Sequence, residues 1–189
     1  MIKKTETRII PEETARSFYL QHFKVYTFVN ENVADTQVLD AGCGDGYGSA
    51  YLAKKAKFVY GIDYEREVVE KAQGKYQAGN LKYLPMDVLK LEFNDREFDI
   101  ICSFQVIEHI PEELIPKYLG QLKRVLKDTG TLYLSTLNLA KAMKSQVTYK
   151  KNPAHCKEFR LQELRDTLAA AFDRVTIYGL HRSPRYRTK

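Results

Sequence analysis

Short apolar runs alternate along the chain with segments in which apolar residues recur every three or four positions. Runs such as FDIICSF at 98–104 and TLYLSTL at 131–137 are apolar on both faces, which is typical of parallel strands covered by helices. The pattern predicts strands over 37–41, 58–63, 81–84, 98–104, 131–136 and 174–178.

Helical spacing predicts helices around and between these strands, over 12–30, 48–55, 65–78, 112–126 and 161–172. This alternation indicates an α/β fold, a doubly wound, mostly parallel sheet with helices on both faces. Such sheets bind ligands at the carboxyl ends of the strands, where the strand order reverses. We expect a single domain over 1–189, with an N-terminal helix at 12–30, a core at 37–180 and a basic tail at 181–189.

Composition restricts the class of protein. The 189 residues, 44% apolar and 29% charged, are ordinary for a soluble globular protein. The N-terminus lacks the apolar core of a secretory signal, and no apolar run approaches the roughly 18 residues that span a bilayer. Three cysteines without a CxxC pair argue against a zinc site or a disulfide framework and suit a reducing compartment. We predict a cytoplasmic protein with no metal site and no membrane partner.

The net charge of +6 is unevenly distributed. Between positions 141 and 160 six basic residues accompany Glu158 as the only acid, and 181–189 contains four basic residues and no acid. Two explanations stay open: an ordinary solvated surface, or a surface that attracts an anionic partner such as a phosphate, a nucleotide or RNA.

The densest motif is VLDAGCGDGYGSAYL at 38–52, which has four glycines in seven positions directly after a predicted strand. The dinucleotide-binding motif G-x-G-x-x-G/A does not fit, because the sixth position is Tyr47 counted from Gly42 and Ser49 counted from Gly44. An NAD-dependent dehydrogenase is therefore excluded. No Gly-Lys-Ser/Thr follows the glycines, so the loop is not a P-loop either.

The loop has the form D-x-G-x-G-x-G, beginning at Asp40, and it resembles the first motif of the class I S-adenosylmethionine (SAM)-dependent methyltransferases. Other segments resemble later motifs of this family: VYGIDYE, PMDVLKL, FDIICSFQVIEHI, LKRVLKDTGTLYLSTLN and NPAHCKEF. One departs from the family pattern, with Lys-Asp-Thr-Gly in place of Lys-Pro-Gly-Gly. The resemblance covers roughly 37–180 and implies the class I methyltransferase fold, with SAM as cofactor.

The resemblance also implies roles for individual residues. Asp63, at the end of the second strand, would accept hydrogen bonds from both ribose hydroxyls, which suits a carboxylate because it accepts and does not donate. Asp87 would face the adenine amino group, and Phe104 and Gln105 would lie near the methionine moiety. The glycines would let the aminoacyl end of SAM lie against bare backbone. The predicted SAM-binding residues are Asp40, Gly42, Cys43, Gly44, Gly46, Tyr47, Asp63, Tyr64, Met86, Asp87, Val88, Phe104 and Gln105.

Two histidines are the candidate catalytic residues. His155 lies in a loop just after Pro153, between the fifth predicted strand and the next helix. A neutral imidazole there can take a proton from an acceptor hydroxyl or amine, although a structural hydrogen bond or plain exposure are alternatives. Glu108 and His109 precede Pro111, and they either cap the next helix or contact the acceptor.

These features predict a SAM-dependent methyltransferase acting on an oxygen or nitrogen of a small-molecule or glycan-like acceptor, since the sequence shows no additional RNA- or protein-binding domain. One alternative is an RNA methyltransferase that uses the basic 141–160 loop and the tail, although FQVIEHI is not the Asn/Asp-Pro-Pro-Phe/Tyr motif of many base-methylating enzymes. Another is a SAM-binding protein without catalysis.

The family's seventh strand has no clear counterpart after Leu180, because only HRSPRYRTK follows. Three explanations stay open: the strand is missing, the chain is shortened, or a partner supplies the edge of the sheet. An unpaired edge would favour a homodimer.

Overall fold

The computed structural model describes residues 8–145 and 148–180. The predicted basic tail at 181–189 and positions 146–147 of the basic loop lie outside these residues. Short 3₁₀ turns lie at Ile107–His109 and Glu112–Leu114. The helices and strands are α1 Arg16–Val29, β1 Gln37–Ala41, α2 Tyr47–Leu52, β2 Phe58–Asp63, α3 Arg66–Lys75, β3 Leu81–Pro85, β4 Phe98–Phe104, α4 Ile115–Val125, β5 Leu126–Ser135, α5 Leu139–Ser145 and α6 Leu161–Ala169.

The described strands form a parallel sheet in the order β3-β2-β1-β4-β5. The chain proceeds from β1 outward to β3 on one side, then returns to β4 beside β1 and continues to β5 on the other. The strand order therefore reverses between β1 and β4, where sheets of this type bind ligands. The glycine loop follows β1, and Gln105 follows β4.

Helices cover both faces of the sheet because the side chains of each strand alternate between two apolar cores. Leu39 of β1 belongs to one core, together with Leu122 of α4. Its neighbour Val38 belongs to the other, together with Tyr26 of α1. The predicted doubly wound α/β fold is confirmed. No helix in the described part of the chain is both long and apolar enough to cross a bilayer.

The predicted strand at 174–178 does not form. Residues 174–180 have no regular secondary structure, and Tyr178 is 70% exposed. The segment has the β-branched and aromatic residues that favour a strand, but among the described residues it has no strand partner. Within the described residues β5 is therefore an edge strand of the sheet.

Other differences from the predicted elements have local causes. Helix α1 begins at Arg16 rather than at position 12, because the Thr14 hydroxyl accepts a hydrogen bond from the Ile10 N–H at 3.1 Å and fixes a turn there. Strand β5 begins at Leu126, directly after α4, and the Nζ of Lys127 lies 2.6 Å from Oδ1 of Asp99 near the start of β4. Helix α5 has no counterpart in the sequence prediction.

Candidate functional site

The glycine loop after β1 folds back over β2. The backbone N–H groups of Gly42 and of the buried Cys43 both donate to the carbonyl of Ile62, at 2.9 and 2.8 Å. Gly42 has φ +88° and Gly44 has φ +54°, a region that favours glycine. A Cβ on Gly42 would lie 2.4 Å from Cγ2 of Val106, whereas one on Gly44 would meet nothing within 4 Å among the described residues. The loop is therefore open to a ligand at Gly44.

Two other glycines of the motif are required by packing within the protein. A Cβ on Gly48 would lie 2.0 Å from Cζ of Tyr26, and one on Gly46 would lie 2.8 Å from the hydroxyl of Tyr83. That hydroxyl also donates to the carbonyl of Gly46 at 2.7 Å. The interpretation that the glycines leave the backbone bare for a ligand thus applies to only part of the motif.

Asp40 is fully buried beneath the loop. Its Oδ2 accepts a hydrogen bond from the Ser49 hydroxyl at 2.6 Å, and its Oδ1 accepts one from the Tyr26 hydroxyl at 3.2 Å. Burial raises the pKa of Asp40 to about 6, although these two hydroxyls act in the opposite direction. In this geometry Asp40 supports the loop from below, and its contact with SAM stays a prediction.

The raised pKa of Asp40 predicts a pH-dependent loss of stability. The unfolded chain releases this proton near pH 4 and the folded chain near pH 6, so the free energy of unfolding falls as the pH rises between these values. An Asp40→Asn variant stays neutral and should lose roughly 2 kcal/mol less than the wild type between about pH 4 and 7, measured by urea unfolding. Parallel pH profiles for the two proteins would contradict this expectation.

Asp63 lies at the end of β2 beside Gly44. Its Oδ2 accepts a hydrogen bond from the backbone N–H of Gly44 at 3.1 Å, and its Oδ1 accepts one from the N–H of Glu65 at 3.0 Å. Nη2 of Arg8 lies 3.2 Å from the same Oδ1 and 3.0 Å from Oε1 of Glu65. The predicted ribose carboxylate therefore adjoins the open part of the loop, and it is also ion-paired with a residue that precedes α1.

The predicted adenine-binding residues follow β3. The backbone N–H of Met86 donates to the carbonyl of Asp63 at 2.9 Å, which fixes the two strand ends side by side. Asp87 caps a turn, with its Oδ1 accepting a hydrogen bond from the N–H of Leu89 at 2.8 Å, and Val88 is buried. The structure thus brings this segment next to Asp63, while the adenine contact itself stays a prediction.

Aromatic rings pack beside the loop. Tyr47, the first residue of α2, lies edge to face against Tyr19 and Tyr26, with ring centroids 5.3 and 5.7 Å apart. Tyr26 also meets Phe104 at 4.9 Å. Tyr64 is different, since 53% of it is exposed to solvent. Tyr47 and Phe104 are therefore held in place by aromatic side chains of α1, whereas Tyr64 is largely exposed to solvent.

Gln105 turns the chain away from the end of β4. It has φ +58°, which is unusual for a residue other than glycine and costs on the order of 1–3 kcal/mol. Its backbone N–H donates to the carbonyl of Ser135 at 2.8 Å, and its Nε2 lies 3.3 Å from the Ser135 hydroxyl. The strained turn is held between the ends of β4 and β5, and it leads directly into the 3₁₀ turn that contains Glu108 and His109.

Three side chains converge where this 3₁₀ turn meets the loop before α6. One potential ligand atom from each of Glu108, His109 and His155 lies within 4.8 Å of the other two. Nδ1 of His155 is 2.6 Å from Oε1 of Glu158, and Nδ1 of His109 is 3.1 Å from the carbonyl oxygen of Ala154. Because a carboxylate and a carbonyl only accept, each ring donates through Nδ1, and in its neutral form it has a lone pair on Nε2.

Glu108 is fully buried, and neither of its carboxylate oxygens has a hydrogen-bond partner among the described residues. Burial raises the pKa of Glu108 to about 7, and the Thr136 hydroxyl is close enough to oppose this rise without meeting hydrogen-bond geometry. Burial also lowers the pKa of His109. A buried carboxylate without a partner is energetically unfavourable, and helix capping does not explain it.

Arg8, Tyr26 and Glu158 are among the residues that contact the predicted site but are absent from the predicted set. For Glu158 the sequence does contain a signal, because it lies three residues after His155. Tyr26 belongs to a helix with several aromatic residues, and the sequence pattern does not show which of them contacts the site. Nothing local in the sequence connects Arg8 with Asp63, 55 positions away.

Part of the basic charge between 141 and 160 is used within the chain. Nζ of Lys157 pairs with the carboxylates of Glu112 and Glu163. Nζ of Lys151 donates to the carbonyl of Cys156 at 2.8 Å. For these two lysines the contacts favour a structural role over an anion-binding surface.

Known proteins resemble this chain over most of its length. The family described as "Methyltransferase domain" matches residues 39–134. A probable SAM-dependent methyltransferase from Mycobacterium tuberculosis is 30% identical over 185 residues, which are 97% of this chain and 66% of that protein. A ubiquinone biosynthesis O-methyltransferase from Coxiella burnetii is 32% identical over 103 residues, 53% of this chain and 43% of that protein. This chain thus spans less than two thirds of the length of either relative.

A solved structure shows the same architecture. The crystal structure of a SAM-dependent methyltransferase from Aquifex aeolicus has 26% identity and a TM-score of 0.65, covering 80% of each chain. The chain belongs to the methyltransferase-domain family and has the fold of the class I SAM-dependent methyltransferases.

Proposed function

We propose that this protein transfers the methyl group of SAM to an oxygen or nitrogen atom of a small-molecule or glycan-like acceptor. One observation carries the proposal. The backbone of Gly44 has open space beside it and donates a hydrogen bond to the carboxylate of Asp63, and both residues lie near the point where the strand order of the sheet reverses. Glu108 and His109 follow β4, the neighbour of β1, and His155 of the loop before α6 lies beside them, so the same end of the sheet offers polar groups to an acceptor.

The residues present fit the nucleoside end of SAM. A carboxylate has about four acceptor sites, and Asp63 uses three of them for Gly44, Glu65 and Arg8. One site remains for a ribose hydroxyl, and a second becomes available when Arg8 withdraws. Asp87 supports the choice of a nucleoside without phosphate, because two acids at neighbouring strand ends repel an anion.

The methionine end of SAM would lie between Gly44 and the residues after β4. When bound, SAM supplies an electrophilic methyl group on a positively charged sulfur. Phe104 and Gln105 would orient this part of the ligand, since one is fixed by Tyr26 and the other by Ser135. Holding the methyl group and the acceptor in line can contribute roughly 7–11 kcal/mol to lowering the barrier.

On the acceptor side, the cluster of Glu108, His109 and His155 would promote loss of the acceptor proton. His155 is the residue that the sequence assigns to this step, and Glu158 holds its ring with Nε2 directed away from the Nδ1 hydrogen bond. Oxygen is the better supported acceptor atom, because the Coxiella burnetii relative is named an O-methyltransferase. The internal pairing of Lys157 supports a small acceptor over RNA.

Calorimetry with SAM, its demethylated product and NAD tests the proposal. We expect micromolar binding of the first two and no heat from NAD, because the loop does not have the spacing that cradles a pyrophosphate. Transfer of a labelled methyl group would then be followed with phenols, sugars and amines, and with RNA as a separate arm. Absence of SAM binding would overturn the proposal, and transfer to RNA alone would favour the alternative acceptor.

A further inference from the structure

We propose that Glu108, His109 and His155 form a binding site for a divalent first-row transition-metal ion. The sequence predicts no metal site, because the chain lacks closely spaced cysteine pairs. This cluster uses no cysteine and joins two segments that are distant in sequence, so spacing rules for metal sites do not detect it.

The donor atoms have the chemistry of a metal site. Two imidazole nitrogens and one carboxylate are common ligands of zinc, iron, cobalt and nickel ions. In the neutral form both rings have a lone pair on Nε2, because their Nδ1 atoms donate to Glu158 and to the carbonyl of Ala154. Ligand bonds of about 2.1 Å place donors roughly 3–4 Å apart, so the observed separations of up to 4.8 Å require only small side-chain rotations.

The carboxylate of Glu108 gives an independent reason for a cation. It is fully buried, and its two oxygens have no partner among the described residues. Buried charges in proteins are paired or coordinate metals, because an unpaired one loses its hydration without compensation. The neighbouring imidazoles cannot donate to it through Nδ1, since both Nδ1 atoms are already engaged. A cation between the three side chains would satisfy the carboxylate.

The surroundings hold the ligands in place as they do in known metal sites. Metal-bound histidines usually donate their second N–H to a carboxylate or a backbone carbonyl, and both versions occur here. The Tyr149 hydroxyl in turn donates to Oε2 of Glu158. The backbone N–H groups of Cys156 and Lys157 donate to the carbonyl of Glu108 at 2.7 and 3.1 Å, which joins the two segments independently of any ion.

The position of the site gives the ion a role in the proposed reaction, and this part of the inference rests on the proposed function. Three protein ligands leave coordination positions for other oxygen atoms. The site follows the strained turn at Gln105, next to the expected methionine end of SAM. An acceptor hydroxyl bound at an open position would have a lowered pKa and would release its proton to solvent water, so His155 would assist proton loss as a ligand rather than as a free base.

Metal titration in the absence of SAM tests the site. Protein treated with a chelator would be titrated with Co²⁺, Zn²⁺ and Mg²⁺, following heat, the melting temperature and the visible spectrum of Co²⁺. We expect one ion per chain, with Co²⁺ and Zn²⁺ bound at micromolar concentration or tighter and Mg²⁺ at least tenfold more weakly. Absence of stoichiometric Co²⁺ or Zn²⁺ binding would overturn the proposal.

Matched variants identify the ligands. Glu108→Gln keeps the side-chain volume and removes an unpaired buried charge, so we expect it to fold at least as well as the wild type while binding Co²⁺ at least tenfold more weakly. His155→Gln should weaken binding similarly, and Glu158→Gln by about tenfold through the orientation of His155. His22→Gln, which changes a histidine of α1, is the control and should retain the site.

The outcomes separate this inference from the methyltransferase proposal. Retained Co²⁺ affinity in both Glu108→Gln and His155→Gln, or its loss in the control, would overturn the metal site. Metal binding without SAM binding would leave the site standing and remove its assigned role.

Discussion

Replacing Asp63 with alanine is expected to lower the affinity for SAM about 100-fold, which corresponds to roughly 2.7 kcal/mol. The carboxylate would accept two hydrogen bonds from the ribose diol, and hydrogen bonds to charged groups contribute about 1.5–3 kcal/mol each. The variant also removes the hydrogen bond that the N–H of Gly44 donates to Oδ2 of Asp63 at 3.1 Å. This hydrogen bond helps to fix the glycine loop at the ligand site. Calorimetry with SAM gives the difference directly.

Asp128→Ala is the matched control for this measurement. Asp128 is an exposed acid within β5, and its Oδ1 lies 3.2 Å from Nε of Arg96, away from the carboxyl ends of the strands. The control removes the same charge from the chain and should bind SAM like the wild type. Equal affinities for SAM in the Asp63→Ala variant and the control would remove Asp63 from the site.

Gly42→Ala should destabilise the fold by about 3 kcal/mol. A left-handed backbone costs a non-glycine residue roughly 1–2 kcal/mol, and inserting a methyl group into a packed region costs about 1–3 kcal/mol. Both apply at Gly42, where φ is +88° and the new Cβ would lie 2.4 Å from Val106. Denaturant unfolding of the variant and the wild type measures the difference.

Gly44→Ala separates the two effects in the same loop. Gly44 also has positive φ, but its Cβ would meet nothing within 4 Å among the described residues, so only the backbone penalty of about 1 kcal/mol is expected. The added methyl group would instead project into the space assigned to SAM and weaken its binding. Equal destabilisation by the two variants would show that Val106 does not restrict the loop.

Much of the fold is predictable because the spacing of apolar residues along the chain shows which side chains are buried. Strands β1, β2 and β4 begin and end where the sequence predicts, since each is apolar on both sides and is covered by helices. The failure at 174–178 has the opposite cause. Strand propensity there is real, but a strand exists only with a partner, and pairing is a property of the whole chain.

The candidate site is predictable only where motif spacing fixes the geometry. The approach of Asp63 to Gly44 follows from two adjacent parallel strands, so the sequence indicates it. The reason for a glycine at position 48 cannot be predicted from the sequence. The ring of Tyr26 that excludes a Cβ there belongs to α1, which is distant in sequence. In sequence Glu108 resembles any loop acid. Its lack of a hydrogen-bond partner among the described residues depends on how the neighbouring segments pack, which the sequence does not give.

The ion pair between Arg8 and Asp63 has a consequence for how tightly this protein holds its nucleoside. The Arg8 guanidinium and the sugar compete for one oxygen of Asp63, so the measured affinity equals the intrinsic affinity multiplied by the fraction of molecules in which Arg8 is not docked on Asp63. Because docking depends on a partly exposed charge pair, added electrolyte weakens it. Within a moderate range of ionic strength, added salt should therefore raise rather than lower the affinity for a cationic ligand.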